Sequence, residues 1–174
     1  SAVAQPKMLA YSAAPNGYLN EHAADVARSY DGFFFVAGDW DEGVAGNIGF
    51  GTDTPPASDW LTKVAENVKH LNAAGATESV LDACFSESGA WPSPETLRSA
   101  EFTAKMAKHF GRLAQAASEI GCRGVGIDVA SPYKRYSFDH EIYAWDGYTV
   151  EDILNAAEAQ GRATMTAVLD AYPE

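Results

Sequence analysis

The residues of this chain that could do chemistry are carboxylates and aromatic rings, which occur together in the segments that follow short apolar runs. The flat faces of sugar rings stack on indole and phenol rings, and ionised carboxylates accept hydrogen bonds from sugar hydroxyls. Hydrolysis of a glycosidic bond needs two carboxyl groups, about 5–5.5 Å apart for retention and about 6.5–9.5 Å apart for inversion. This mixture of residue types therefore favours a carbohydrate as the substrate or ligand.

Asp128 is the strongest single candidate for a catalytic acid, a base or a substrate-orienting group. It ends an apolar run in which Gly124 and Gly126 precede it at the period of a strand, so that both glycines share its face and leave space beside it. A carboxylate that only caps the following loop is the alternative interpretation, with equal weight. Asp139 and Glu141, in the segment after this run, are the further catalytic candidates.

The candidate sugar-binding residues lie in the segments that follow the second, third and fourth apolar runs. Three of the four tryptophans are found there, and the fourth, Trp60, is expected at the start of a helix that faces the same end. In parallel α/β folds function collects at the carboxyl ends of the strands, so we expect these side chains to share one rim. The candidates are Trp40, Trp91, Tyr133, Tyr136, Trp145 and Asp39.

Metal and thiol chemistry fit the sequence less well. The acidic run 39–42 lacks the spacing of an EF-hand loop and is better explained as a solvated loop. The four histidines include no pair at zinc-binding spacing, and Cys84 and Cys122 fit small core residues. We therefore expect no metal and no cofactor. Asp82 lies inside an apolar run, and we expect it to form a structural hydrogen bond to a neighbouring strand or to Arg123.

Short apolar runs alternate with amphipathic helical patterns along the chain, and these elements must position the candidate residues. The apolar runs cover residues 7–11, 32–37, 79–85 and 124–129, and each is short enough for a strand. The helices are predicted to begin at Asn20, at Ser58 or Asp59, near Ser99, and after Thr149. The first of them is expected to extend to about Arg28, and Gly75 is expected to end the second.

Four βα units in sequence predict a parallel sheet with crossover helices. Two architectures fit this pattern, an open α/β sheet and the first half of a (βα)8 barrel. The segment 12–17 is neither a dinucleotide-binding fingerprint nor a phosphate-binding loop, which lowers the probability of a nucleotide-binding fold. We therefore predict a parallel (βα)4 half-barrel that spans residues 1–174 as a single unit, with residues 1–6 as a flexible tail.

The composition excludes several classes of partner. The chain has 174 residues and a mass of 18.6 kDa, with 12 Lys and Arg against 24 Asp and Glu, for a formal net charge of -12. Nucleic-acid binding and docking on anionic lipid both depend on clustered basic residues, so we expect neither nucleic acid nor a membrane as a partner. No apolar run approaches the roughly 20 residues that span a bilayer.

The first residues of the sequence indicate the cellular compartment of the protein. Ala2-Val3-Ala4 has the small-x-small form of a signal-peptidase site, although the charged and apolar regions of a leader do not precede it. A short alanine-rich tail is the alternative interpretation. An acidic surface with few cysteines also suits an extracellular enzyme, and we expect a secreted or periplasmic protein whose leader has been removed.

Five segments carry a family resemblance, and they follow in order along most of the chain: 6–11, 30–35, 67–71, 121–128 and 161–173. Together they resemble the N-terminal half of glycoside-hydrolase-like (βα)8 barrel proteins, often exported, from environmental bacteria. The resemblance implies a barrel and a polysaccharide or glycoside substrate, with the acid/base after strand four and the nucleophile after strand seven. Asp128, Asp139 and Glu141 match the first of these regions, whereas the usual Glu is absent and Ala130-Ser131 stands near its place.

A half-barrel leaves strand edges and apolar side chains uncovered. We therefore expect either a homo-oligomer in which two copies complete a barrel, or a chain that lacks its C-terminal half. Three functions remain open from the sequence. They are a glycoside hydrolase, which would be inactive without the carboxylate of the second half, a non-catalytic sugar-binding module, and a self-assembling domain without enzymatic activity.

Overall fold

The computed structural model of the chain describes residues 6–36, 58–84, 94–128 and 147–172. Within these ranges, strands and helices alternate as the sequence predicts. None of the helices in the described ranges has the length and apolar character that crossing a membrane would require. In chain order the elements are β1 (Leu9–Ala13), α1 (Gly17–Glu21), α2 (Ala23–Val26), β2 (Gly32–Val36), α3 (Ser58–Ala74), β3 (Val80–Cys84), α4 (Pro94–Arg98), α5 (Ala100–Ile120), β4 (Gly124–Asp128) and α6 (Val150–Ala171).

The four strands form one sheet in the order β1-β2-β3-β4, and all three pairings are parallel. The register places Phe35 opposite Leu81 and Leu81 opposite Val125, while an irregularity interrupts β1 between Ala10 and Ala13. The predicted parallel α/β architecture is confirmed. Because each strand pairs with its successor in the chain, the sheet is also compatible with the first half of a barrel.

One face of the sheet packs against the helices. Phe33 and Phe35 of β2 and Leu81 and Ala83 of β3 are buried in the same core cluster as the inner sides of α3 and α5. At about 25 cal/mol for each Å² of apolar surface removed from water, this layer supplies the main stabilisation of the fold. The helical members of the cluster include Val64, Val68, Leu71, Met106, Phe110 and Leu113.

Side-chain caps fix the ends of the long helices. The Ser99 hydroxyl accepts a hydrogen bond from the Phe102 N–H at 3.2 Å at the start of α5. At the start of α6, Thr149 and Asp152 form a capping box. Helix α3 ends just before Gly75, whose φ of 98° is in the left-handed region. The predicted starts of α5 and α6 and the predicted end of α3 are thus confirmed.

The predicted start of the first helix is wrong. The cap is Asn16, whose side chain accepts a hydrogen bond from the Leu19 N–H, and helix α1 begins at Gly17 rather than after Asn20. A second short helix, α2, follows instead of a continuous helix to Arg28. The cause lies on α3, where the buried Asn67 amide bonds the backbone of Asn16 at 3.0 and 2.9 Å and the Asn20 side chain at 2.5 Å. This contact between distant residues holds Asn20 inside the helix.

Two further expectations need correction. No helix is predicted between Gly75 and Ser99, but residues 94–98 form helix α4, with Pro94 at its first position, where the missing N–H costs no hydrogen bond. Trp60 does lie at the start of α3 but is only 9% exposed and belongs to the core cluster. It therefore fills space between the elements and does not join an exposed aromatic rim.

Asp31 joins the start of β1 to the start of β2. Its carboxylate accepts a hydrogen bond from the Met8 N–H at 2.8 Å and lies 3.5 Å from the Lys7 ammonium, which is also 3.4 Å from Glu78. The hydrogen bond from the Met8 backbone and the positive charge of Lys7 lower the pKa of Asp31 below its ordinary value of 3.8. The ionised form is therefore stabilised by folding.

We expect Asp31→Asn to destabilise the protein near neutral pH, because the variant lacks the charge that these contacts favour. A lowered pKa contributes stability above the unfolded value of 3.8, and that contribution is lost as the pH falls through the folded value. The difference in the free energy of unfolding between wild type and variant should therefore be smaller at about pH 3 than near neutral pH. Urea unfolding at both pH values measures it. The control is Asp25→Asn, which removes an exposed ion pair with Arg28 and should have little effect. A gap that does not change with pH would contradict the assignment.

Candidate functional site

Most of the residues predicted to form the site lie outside the described residues. The exception is Asp128, the last residue of β4, which lies in register with Cys84 of β3. For Asp128 the structure describes the strand position alone. It confirms that the residue ends a strand of the parallel sheet, where the catalytic residues of barrel enzymes are found. The candidates outside the described residues are Asp39, Trp40, Trp91, Tyr133, Tyr136, Asp139, Glu141 and Trp145.

The second face of the sheet, opposite the helix-covered face, carries an aromatic pair on β1 and β2. The rings of Tyr11 and Phe34 lie 5.8 Å apart between centroids and are tilted by 54°. Tyr11 is 63% exposed and Phe34 is half-buried, so the pair presents ring surface to solvent. Tyr11 and Phe34 belong to two separate apolar runs of the sequence, 7–11 and 32–37, and the pairing of β1 with β2 brings their rings together.

Asp82 is a buried carboxylate on the same face of the sheet. It is 2% exposed and lies in register between Val36 of β2 and Gly126 of β4. A β-carbon added at Gly126 would lie 2.6 Å from the Asp82 Oδ1 atom. The missing side chain at position 126 therefore makes the space that the carboxylate occupies. Burial of an ionised carboxylate is costly, so a fold that keeps one in its sheet uses it for structure or for chemistry.

On the second face of the sheet, the side chains become smaller from β1 to β4. Phe34 lies opposite Val80, and Val80 lies opposite Gly124, where an added β-carbon would meet no atom within 4 Å. The aromatic pair therefore lies toward one side of this face and an open position, Gly124, toward the other. The Asp82 carboxylate lies two residues beyond Val80 in β3, on the same face.

The end of α4 lies against the residues at the start of α6. The Arg98 guanidinium at the end of α4 lies 5.5 Å from the centre of the Tyr148 ring, just before α6. The Thr149 hydroxyl and backbone N–H bond the Asp152 carboxylate, and together with the charge of Arg98 they lower the pKa of Asp152. Residues 94–98 and 147–152 are therefore held to each other through a cation–π contact and a charge interaction.

Thiol and metal chemistry find little support in the described ranges. Burial raises the pKa of the Cys122 thiol to about 12, which keeps the thiol protonated near neutral pH and fits the predicted core role. Within residues 6–36, 58–84, 94–128 and 147–172, no group of three His, Cys, Asp or Glu side chains could hold a metal ion.

The functional assignment depends on the geometry described above, because two comparisons with known proteins gave no match. The chain matches no protein-family model and no curated protein. The resemblance to glycoside-hydrolase-like barrels stays a prediction. The residues that the sequence alone did not bring together are Asp82 and Gly126, because their contact depends on the register between two strands.

We expect Gly126→Ala to destabilise the protein by about 1–3 kcal/mol, the usual cost of overpacking. The new methyl group would collide with the Asp82 carboxylate and displace it. The matched control is Gly124→Ala in the same strand, where the methyl group enters open space and should be tolerated or slightly stabilising. Urea unfolding of the two variants tests this. Equal effects at both positions would show that the Asp82 carboxylate does not fill the space at Gly126.

Proposed function

We propose that this chain is a carbohydrate-active half-barrel, similar to glycoside hydrolases, that takes a polysaccharide or glycoside at the second face and the carboxyl ends of its strands. The observation that carries the proposal is the Tyr11–Phe34 pair on the face that also holds the Asp82 carboxylate. Aromatic surface and a carboxylate on one face are a combination that suits sugar rings.

Two features of this face suit a sugar ring. The exposed ring of Tyr11 offers an apolar surface for the C–H face of the sugar. The open position at Gly124 gives room for a ring to approach the sheet.

For hydrolysis, Asp128 at the end of β4 would act as the acid or base. Asp82 does not serve as its partner, because it is buried against Gly126. The second carboxyl group that hydrolysis needs would come from Asp139, Glu141 or the rest of the barrel. The proposal therefore includes catalysis, with a second copy or a second half supplying the rest of the barrel.

Sugar binding should depend on the Tyr11 ring. We expect Tyr11→Ala to weaken binding of the oligosaccharide that the wild-type chain binds best about two- to tenfold, since one stacking contact is worth about 0.5–1.5 kcal/mol. Tyr11→Phe keeps the ring and should retain most of the affinity. Titration of tryptophan fluorescence with maltohexaose, cellohexaose and xylohexaose measures this. If none of these sugars, nor any glycan on an array, binds the wild-type chain, the proposal fails.

Hydrolysis should depend on Asp128. We expect Asp128→Asn to lower the release of reducing sugar from polysaccharides about 10²- to 10⁴-fold, the range for loss of a general acid or base. The control is Asp170→Asn on the exposed side of α6, which should not change the rate. Unchanged turnover in the Asp128 variant would remove Asp128 from the mechanism. A wild-type chain that binds sugars without releasing products would leave the non-catalytic sugar-binding module as the function.

A further inference from the structure

Helix α6 exposes apolar side chains and buries polar ones. Among the described residues, α3 and α5 carry none of the exposed large apolar side chains, whereas α6 carries four of them. Two of the three buried residues of α6 are polar, and the Gln160 amide nitrogen and the Thr164 hydroxyl have no hydrogen-bond partner within the described ranges. A helix that meets the core on one side and water on the other shows the reverse arrangement. The exposed apolar residues are Val150, Leu154, Met165 and Leu169.

These four residues form a stripe along the helix, which we call the α6 stripe. At about 100° per residue they fall within an arc of about 100°, and at about 1.5 Å per residue the stripe is about 29 Å long. A β-carbon added at Gly111 of α5 would lie 3.4 Å from the Ala167 carbonyl oxygen, so Ala167 is on the side of α6 that meets α5. Met165 lies about 160° from Ala167 around the helix. The α6 stripe is therefore not part of the contact with α5.

The spacing of the α6 stripe is symmetric about its centre. Val150 and Leu154 lie as far before the midpoint, between residues 159 and 160, as Leu169 and Met165 lie after it. In two antiparallel copies of α6 related by a two-fold axis at this midpoint, Leu154 of one copy would face Met165 of the other, and Val150 would face Leu169. A two-fold interface requires this property, because both copies use the same surface.

The centre of the α6 stripe carries one acidic and one basic residue. Glu158 and Arg162 are exposed and form an ion pair within the helix, with 2.6 Å between the Glu158 Oε1 and Arg162 Nη2 atoms. They lie on opposite sides of the midpoint, so an antiparallel copy places its Arg162 beside Glu158 and its Glu158 beside Arg162. Opposite charges then meet twice across the contact, whereas a parallel copy would place like residues at the same level.

This charge pattern favours a second copy of the chain as the partner. Each copy has a formal net charge of -12, so most surfaces of one copy repel another copy. At the centre of the α6 stripe the two charges cancel, and apolar residues lie on both sides. Gly161 is also near the centre, and a β-carbon added there would meet no atom within 4 Å. The absence of a side chain at this position lets the two backbones approach each other.

We propose that two copies of this chain associate through their α6 stripes, antiparallel about a two-fold axis that passes between residues 159 and 160. The contact uses the surface of one helix alone. It therefore requires neither a closed barrel nor a free sheet edge, and it does not depend on the sugar of the proposed function.

Sedimentation equilibrium of the 174-residue chain without sugar tests the association. We expect a species of twice 18.6 kDa. Leu154→Glu should raise its dissociation constant at least about tenfold, because the new charge would face the partner's Met165. The matched control is Ala159→Glu, which adds the same charge at an exposed position about 140° from Leu154 around the helix. It should change the constant less than twofold, and both variants should keep the circular dichroism of the wild type.

Exchanging the central charges tests the pairing of Glu158 with the partner's Arg162. Arg162→Glu alone would set like charges against each other and should raise the dissociation constant about two- to tenfold at low salt. The double variant Glu158→Arg with Arg162→Glu restores opposite charges across the contact and should return the constant to within about twofold of the wild type. A double variant as weak as the single one would contradict the antiparallel arrangement.

A disulfide experiment tests the direction of the helices. Chains with Leu154→Cys and chains with Met165→Cys should form a covalent dimer on mild oxidation when they are mixed, and neither should do so alone. The wild-type chain, which keeps Cys84 and Cys122, controls for bonds through the native cysteines. A covalent dimer of Leu154→Cys chains alone, or none in the mixture, would overturn the antiparallel contact.

Two outcomes separate this inference from the sugar site. A wild-type chain that stays at 18.6 kDa at every concentration would overturn the second copy as the occupant and assign the α6 stripe to a different partner. A dimer that binds none of the sugars keeps this inference and loses the sugar site.

Discussion

The fold depends on one apolar layer, in which alternate residues of the central strands are pressed against the inner sides of α3 and α5. Phe35 and Leu81 sit at the middle of this layer, where they are fully buried. Because successive side chains of a strand point to opposite faces, the neighbours of Phe35 and Leu81 lie on the second face of the sheet. The burial of Phe35 and Leu81 against the helices therefore decides which residues the second face carries. A one-residue slip of β3 would exchange Leu81 with Asp82, and the cost of that exchange fixes the register. The same layer thus sets both the stability of the sheet and the position of its carboxylate.

Much of the fold follows from local signals. Apolar runs of five to seven residues predict the strands, and side-chain oxygens at Ser99 and Thr149 predict helix starts because they satisfy backbone N–H groups within a few residues. The start of α1 could not be predicted in this way. Two asparagines compete for it, and Asn67, about fifty residues further on, decides between them. Trp60 is a similar case, since its burial depends on packing between elements rather than on its neighbours in sequence.

The candidate site was less predictable than the fold. The glycines at 124 and 126 were noticed as space beside Asp128, because they share its strand. In the structure the space at Gly126 is occupied by the Asp82 side chain, because the pairing of β3 with β4 brings Gly126 against that carboxylate. Cross-strand register has no signature in a single sequence. The Tyr11–Phe34 pair was missed for the same reason, because a run of three phenylalanines does not show which ring faces which side.

The last tyrosine has a practical consequence for handling the protein. The Tyr172 hydroxyl donates a hydrogen bond to the Cys122 carbonyl at 2.7 Å, which brings the end of α6 back to the residues just before β4. Met8 directly precedes β1, so residues 8 and 172 both lie beside the amino ends of the parallel strands. A chip linkage made at residue 8 or residue 172 would therefore sit on the side away from Asp128. Immobilised molecules would present the carboxyl ends of the strands to the flowing solution.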